Sequence, residues 1–355
     1  MAERLDIHSQ AERERQSGFS LVEMLVALTL MLIVMAAVFA CLKSSFQVST
    51  AAYELADAQQ SLRAAHEYIN RDLVVAGDGL NGINNIRLPT AFVQTYLTQS
   101  PVLNPSDPGY VNLSLITSDD NVSGATTVPG TAPLMRILGG SDRITILEMD
   151  RTFTPISLAA NAITPSGSNV SISPADVGLF SIGEIYFITS GDKATFGVIT
   201  DITGPVDNPS LVFNDGDPFG LNLTGTGGPI NFVSNAGQLP TTLMRMNIAH
   251  YFVNSNGLFI KRLFGIARAG FVDIVIAEHV VGLQFRYALN DRDVNGNFQQ
   301  PVNQLGTTVQ QAATRQVEIA ITTETAHPVN NGAPQQLTMT TTMSIRNLQF
   351  RLAQQ

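Results

Sequence analysis

Residues 14–30 read ERQSGFSLVEMLVALTL: a charged stretch, a glycine at 18, then an apolar run carrying one carboxylate, Glu23. The run continues beyond this quotation. From Met24 to Leu42 there is no Asp, Glu, Lys, Arg, Pro or Gly. As a helix rising about 1.5 Å per residue, it matches the ~30 Å hydrocarbon thickness of a bilayer. A core helix of a soluble protein is seldom apolar on every side for so long, so the segment reads as a membrane span.

The order of elements argues against a secretory signal peptide. There the apolar stretch precedes a small-residue cleavage site, whereas here the glycine comes first. KSSFQVS (43–49), after the span, offers no A-x-A pattern. Arg4, Arg13 and Arg15 precede the span and Lys43 follows it. That excess favours the amino terminus on the cytoplasmic side, with the remainder in the periplasm.

SGFSLVEMLVALTL (17–30) resembles the cleavage and methylation signature of type IV pilins and pseudopilins. In that family a polar leader ends in glycine, phenylalanine follows, and a glutamate stands fifth in the apolar segment. Gly18, Phe19 and Glu23 occupy those places. The resemblance implies a leader over 1–18, cut between Gly18 and Phe19 by a prepilin peptidase that also methylates the new amine. It assigns Gly18 and Phe19 to processing and Glu23 to assembly. The partners it implies are other minor and major pilins, an inner-membrane assembly platform and a tip adhesin. A carboxylate at membrane depth costs several kcal/mol unless it is paired or interfacial. The Phe19 amine of an adjacent subunit is the partner expected for Glu23.

The helical pattern runs on past the membrane. Val48, Leu55, Leu62 and Ile69 recur every seven residues, with Ala52, His66 and Leu73 on the same face, and no glycine or proline intervenes before Gly77. One helix is therefore expected over 19–76, transmembrane over about 20–42 and amphipathic over 43–76, laid on the chain's own sheet. Major pilins usually carry a proline where this chain has Ala40, which implies a straighter membrane half.

Residues 77–355 read as a β-rich domain. Apolar or β-branched runs are separated by Gly/Pro/Asn/Asp/Ser clusters. They include RITILEM (143–149), GEIYFIT (183–189), FGVITDI (196–202), LMRMNIAHYFV (243–253) and GLFIKRLF (257–264). VDIVIAEHVVGLQFRYAL (272–289), RQVEIAITTET (315–325) and LTMTTTMSIRNLQFR (337–351) follow, and NSNG (254–257) reads as a hairpin turn. Segments 98–133 and 203–240 are expected as long loops or small subdomains. One long helix before antiparallel strands makes the fold class α+β, pilin-like. HVVGLQFRYAL with the C-terminal TTTMSIRNLQFR resembles PilW-type minor pilins. The function this implies is initiation of pilus assembly. The alternatives are a pseudopilin of a type II secretion system and a membrane-tethered periplasmic binding module.

Other chemistry is thinly represented. The single cysteine, Cys41, lies in the span, which excludes an internal disulfide and a cysteine zinc cluster. A net charge of −9 with no basic cluster gives no footprint for nucleic acid. Gly77, Gly79 and Gly82 satisfy G-x-G-x-x-G, but a dinucleotide loop follows a strand and opens a helix, whereas this one follows a helix. DRDVNG (291–296) opens like a calcium loop, with Asp291, Asp293 and Asn295 as oxygen donors. Its twelfth position is Val302 where a bidentate Glu is needed, so it reads as a loop of Asx turns. His8, His66, His250, His279 and His327 show no metal-ligand spacing, and the pairs Glu148/Asp150 and Asp119/Asp120 show no catalytic one. No cofactor, metal or enzymatic activity is expected.

Overall fold

The computed structural model describes residues 19–78, 80, 85–99, 101, 109–113, 115–129, 134–159, 161–164, 166–223, 228–234, 241–266, 270–290, 292, 296–328 and 332–345. A stem helix, Leu21–Val75, opens the fold with 55 residues, about 83 Å of length. Ser20 caps it in extended geometry, and no glycine or proline breaks the ladder through Ala40. The helix stops at Gly77, whose φ of +75° no side-chain-bearing residue adopts cheaply. Its N–H donates to the Leu147 carbonyl at 2.8 Å, tying the helix end to the sheet.

Among the described residues, the stem is buried in its upper part only. The buried residues are Ala58, Leu62, Ala65, His66, Ile69, Asp72 and Leu73. Each of the larger aliphatic ones contributes about 1.5–3 kcal/mol by leaving water. Val48 and Ala52, expected on the packed face, are exposed, because the sheet does not reach down to them. The register that does pack, 58-62-65-69-72-76, keeps helical spacing but admits a carboxylate at 72.

A five-stranded antiparallel sheet lies in the order Gly270–Ala277, Phe259–Ile266, Met246–Val253, Arg143–Met149, Ile116–Asp119. A three-stranded antiparallel sheet follows, Val280–Leu289, Thr314–Glu324, Gln336–Ser344. The stem packs across Gly270–Ala277 and the last two of these strands. A six-stranded sheet, in the order Tyr110–Leu113, Asn85–Pro89, Lys193–Val198, Ile185–Ser190, Thr241–Met244, Ile156–Leu158, contains one parallel pair, Asn85–Pro89 with Lys193–Val198. This is an α+β, pilin-like architecture.

The six-stranded sheet separates two cores. From Ile185–Ser190, Ile185 and Phe187 point into the main core under the stem, while Tyr186 and Ile188 point into a second core with Phe153, Phe180 and Phe213. Burial on both faces explains why this strand reads as a continuous apolar run rather than an alternating one. The two loop-rich segments are partly ordered: 98–133 contributes Tyr110–Leu113 and Ile116–Asp119, and 203–240 contributes Ser210–Val212 and the short helix Pro229–Ser234.

Asp142 joins the five- and three-stranded sheets. Its N–H donates to the Leu283 carbonyl at 2.8 Å, and its carboxylate accepts the N–H of Asn121 at 2.8 Å and of Phe285 at 2.7 Å. Burial, with the Asp120 carboxyl beside it, pushes its pKa up from 3.8 to about 6, against those two N–H bonds. The folded state therefore holds the proton more tightly than the unfolded chain. The stability this contributes is complete below pH 3.8 and is lost as pH climbs through about 6. Asp120→Asn replaces a repelling acid by an amide able to donate to Asp142. It should raise stability at pH 7.5 by on the order of 1 kcal/mol and change little at pH 4, as urea unfolding of the detergent-solubilised chain would show.

Candidate functional site

The start of the stem concentrates the features singled out in the sequence. Phe19 is 83% exposed, immediately before the cap. Ser20 Oγ accepts the Val22 N–H at 3.4 Å, and Glu23 reaches back to accept the Ser20 N–H at 2.9 Å. Together they form a capping box, which satisfies amide donors a helix otherwise leaves unpaired. The carboxylate is thus held at the positive end of the helix dipole, one turn from Phe19. Gly18 lies outside the described residues.

Above the cap the stem has the surface of a lipid-facing rod. Every residue from Leu21 to Leu42 is exposed, and among the described residues this is the one helix long and apolar enough to cross a membrane. Thr29 bonds its hydroxyl back to the Val26 carbonyl at 2.8 Å, leaving no unpaired donor in hydrocarbon. Cys41 is exposed on the same surface. Beyond Lys43, Phe46 and Tyr53 remain 70% and 75% exposed, so the helix stays largely uncovered for several turns before Glu54 and Ala58 meet the domain.

A family model described as the prokaryotic N-terminal methylation motif matches residues 13–39, spanning Gly18, Phe19 and Glu23. The chain carries the amino-terminal motif of type IV pilin-like proteins. Such proteins are structural, processed by a prepilin peptidase and associated with other pilins, and the single apolar helix of this one fits anchoring in the inner membrane. A comparison with curated proteins returns no match.

Elsewhere in this pilin-like protein the residues weighed from sequence are dispersed. Asp291, Asp293 and Asn295 lie outside the described residues, as do His8, Gly79 and Gly82. Val302 exchanges backbone hydrogen bonds with Tyr287. Among the described residues no three His, Cys, Asp or Glu side chains could hold a metal ion. His66 clamps the edge strand Gln336–Ser344 to the stem: one ring nitrogen lies 3.1 Å from the Met339 carbonyl and the other 3.1 Å from the Thr341 hydroxyl. Its burial lowers its pKa, against the bond to the Met339 carbonyl. His327 meets Glu54 of the stem at 2.8 Å. His250 is buried against Thr145 at 2.9 Å, and burial, helped by the charges of Arg143 and Arg262, drives its pKa well down.

Three of the four paired carboxylates enter separate ion pairs, while Asp120 stands beside Asp142. Asp119 takes Arg143 at 2.5 Å, and Asp150 takes Arg245 at 2.7 Å. Glu148 turns toward the stem, where Asp72 contacts both Lys261 Nζ and the Tyr251 hydroxyl. Asp72 escaped the sequence reading, although a signal was present: a lone acid between Ile69 and Leu73 on the buried face.

Proposed function

We propose that the chain is a minor pilin of a type IV pilus, held in the inner membrane with its β-rich domain in the periplasm until it joins a filament. Gly18-Phe19 is the processing site, and the domain boundaries are a leader over 1–18, a stem over 19–76 and a globular part over 77–355. The observation that carries this reading is the methylation motif seated on an entirely exposed apolar helix whose first turn holds Glu23. Removal of the leader leaves a cationic amine on Phe19. Within one subunit Glu23 already caps its own helix, and stacking a second subunit brings a second amine to the same carboxylate. Each charge then relieves the other's cost of sitting near hydrocarbon. That pairing sets the axial register between neighbouring stems.

The neighbouring subunits in this reading are major and other minor pilins, the membrane component is an assembly platform, and the PilW-like C-terminal pattern points to a role in initiating the filament, with a tip adhesin as cargo of the finished structure. Wild-type protein recovered from membranes should begin at methylated Phe19. Gly18→Ala should retain residues 1–18, as N-terminal sequencing and intact mass would show. Glu23→Ala should be processed yet lower filament incorporation by more than tenfold, the effect of losing a pairing of about 1.4 kcal/mol or more. Intact filaments and function in both variants would overturn the assembly reading in favour of a membrane-tethered binding module. Loss of protein secretion with filaments unaffected would place the chain in a secretion pseudopilus instead.

A further inference from the structure

The seat of the stem on the five-stranded sheet brings together a lysine, two acids and a tyrosine that the assembly reading does not use. Asp72 comes from the last turns of the stem, Lys261 from Phe259–Ile266, Tyr251 from Met246–Val253 and Glu148 from Arg143–Met149. Lys261 Nζ contacts Asp72 Oδ2 directly, and the Tyr251 hydroxyl donates to the same oxygen. Glu148 Oε1 stands 4.0 Å from the same Nζ and is held from its other side by Asn247 Nδ2 at 3.4 Å. The side chains of Lys261, Asp72 and Glu148 are 10%, 7% and 14% exposed.

We propose that Lys261 and Asp72 condense to an intramolecular isopeptide bond, with Glu148 as the proton shuttle, covalently stapling the stem helix to the sheet. One proton passes from Nζ to Oδ1 of Asp72, the oxygen that later departs, giving a neutral amine and a neutral acid in contact. The neutral amine attacks Cγ of Asp72, forming the N–C bond. Oδ2, held by Tyr251, carries the developing negative charge and remains as the amide carbonyl oxygen. Glu148 accepts a second proton from the nitrogen and delivers it to the other carboxyl oxygen, breaking the C–O bond. Of the three ammonium protons one stays on the amide and two leave in water, and the charges cancel, so no oxidant or further reactant is needed. A cleft bordered by Tyr68, Arg71 and Arg151 adjoins these residues and gives the water an exit.

Two further features favour the reaction. Burial, with Asp72 adding to it in the resting ion pair, raises the Glu148 pKa, the direction that favours proton exchange. The fold holds amine and carboxyl in contact, so the condensation proceeds at the high effective concentration of an intramolecular reaction. The product ties positions 189 residues apart. It would carry tension from the apolar stem into the sheet without relying on packing alone.

The test is peptide mass spectrometry on the full chain, extracted from membranes in detergent, denatured and digested with trypsin. Wild type should yield the 72–87 peptide joined to the 246–262 peptide at their summed mass less one water, uncut after Lys261. Lys261→Arg, which keeps the ion pair but has no primary amine, should yield no linked species. Glu148→Gln should lower linkage by about 100-fold or more, the usual scale of general acid–base catalysis. Unlinked peptides from wild type would overturn the proposal whatever the variants do, and undiminished linkage in Glu148→Gln would overturn the shuttle. Both outcomes are independent of leader processing and filament assembly.

Discussion

Asp273→Ala is expected to destabilise the fold by about 3–5 kcal/mol, the range for stranding one partner of a buried ion pair. The charge left behind would be that of Arg262, whose side chain is 1% exposed. Its Nε meets Asp273 Oδ1 at 2.6 Å and its Nη2 meets Oδ2 at 2.7 Å, a two-pronged pairing between directly opposed strand positions. Nη1 donates to the Pro129 carbonyl at 2.8 Å, and the guanidinium lies 3.9 Å from the centre of the Phe271 ring. Removing the carboxylate leaves a cation in apolar surroundings with one backbone acceptor. The double variant Arg262→Met/Asp273→Ala should recover most of the loss, because a volume-filling apolar pair has no charge to desolvate. Urea unfolding of the three forms would measure this directly, and equal stability of the two Asp273 variants would show that the stranded charge is not the cause.

Gly77→Ala is expected to cost about 2–4 kcal/mol, combining left-handed backbone strain with overpacking. Gly77 holds φ +75°, and a Cβ there would lie 2.5 Å from Cδ1 of Leu115, a residue 1% exposed at the edge of the main core. The Gly77 N–H to Leu147 carbonyl bond fixes the backbone at this point, so the helix end cannot swing away to make room. Gly140→Ala provides the comparison: φ is +79° there, but nothing lies within 4 Å of the added carbon. That variant should lose only the conformational part, about 1 kcal/mol. Equal losses at the two sites would remove the steric part of the explanation.

Local chemistry was legible wherever neighbouring residues supply the partner. The Ser20/Glu23 box, the apolar run and the glycine stop delimit the stem helix as Leu21–Val75. RITILEM occupies a strand over Arg143–Met149, and NSNG joins Met246–Val253 to Phe259–Ile266 as the hairpin its composition suggests. The run 243–253 reads as one strand yet divides into Thr241–Met244 and Met246–Val253, which belong to different sheets. The break falls at Arg245, whose guanidinium is held by Asp150 at 2.7 Å and lies 3.7 Å from Glu184. The run 272–289 likewise divides, at His279 with φ +56°. Neither break shows in the apolar pattern, because the partners that fix it are far away in the chain.

The candidate assembly site is readable for the same reason that the stem is: Gly18, Phe19, Glu23 and the apolar run follow one another within a short stretch of sequence. An apolar rod must lie in lipid or against other rods wherever the remaining chain goes, so sequence by itself determined the membrane-facing stem and the class of protein to which it belongs. Tertiary structure alone decided how far up the stem the sheets begin, which strand is buried on both faces, and that Asp72, Lys261, Tyr251 and Glu148 converge. Apolar periodicity reports which side chains avoid water but is silent on what covers them. A charge becomes informative only once distant strands have closed over it.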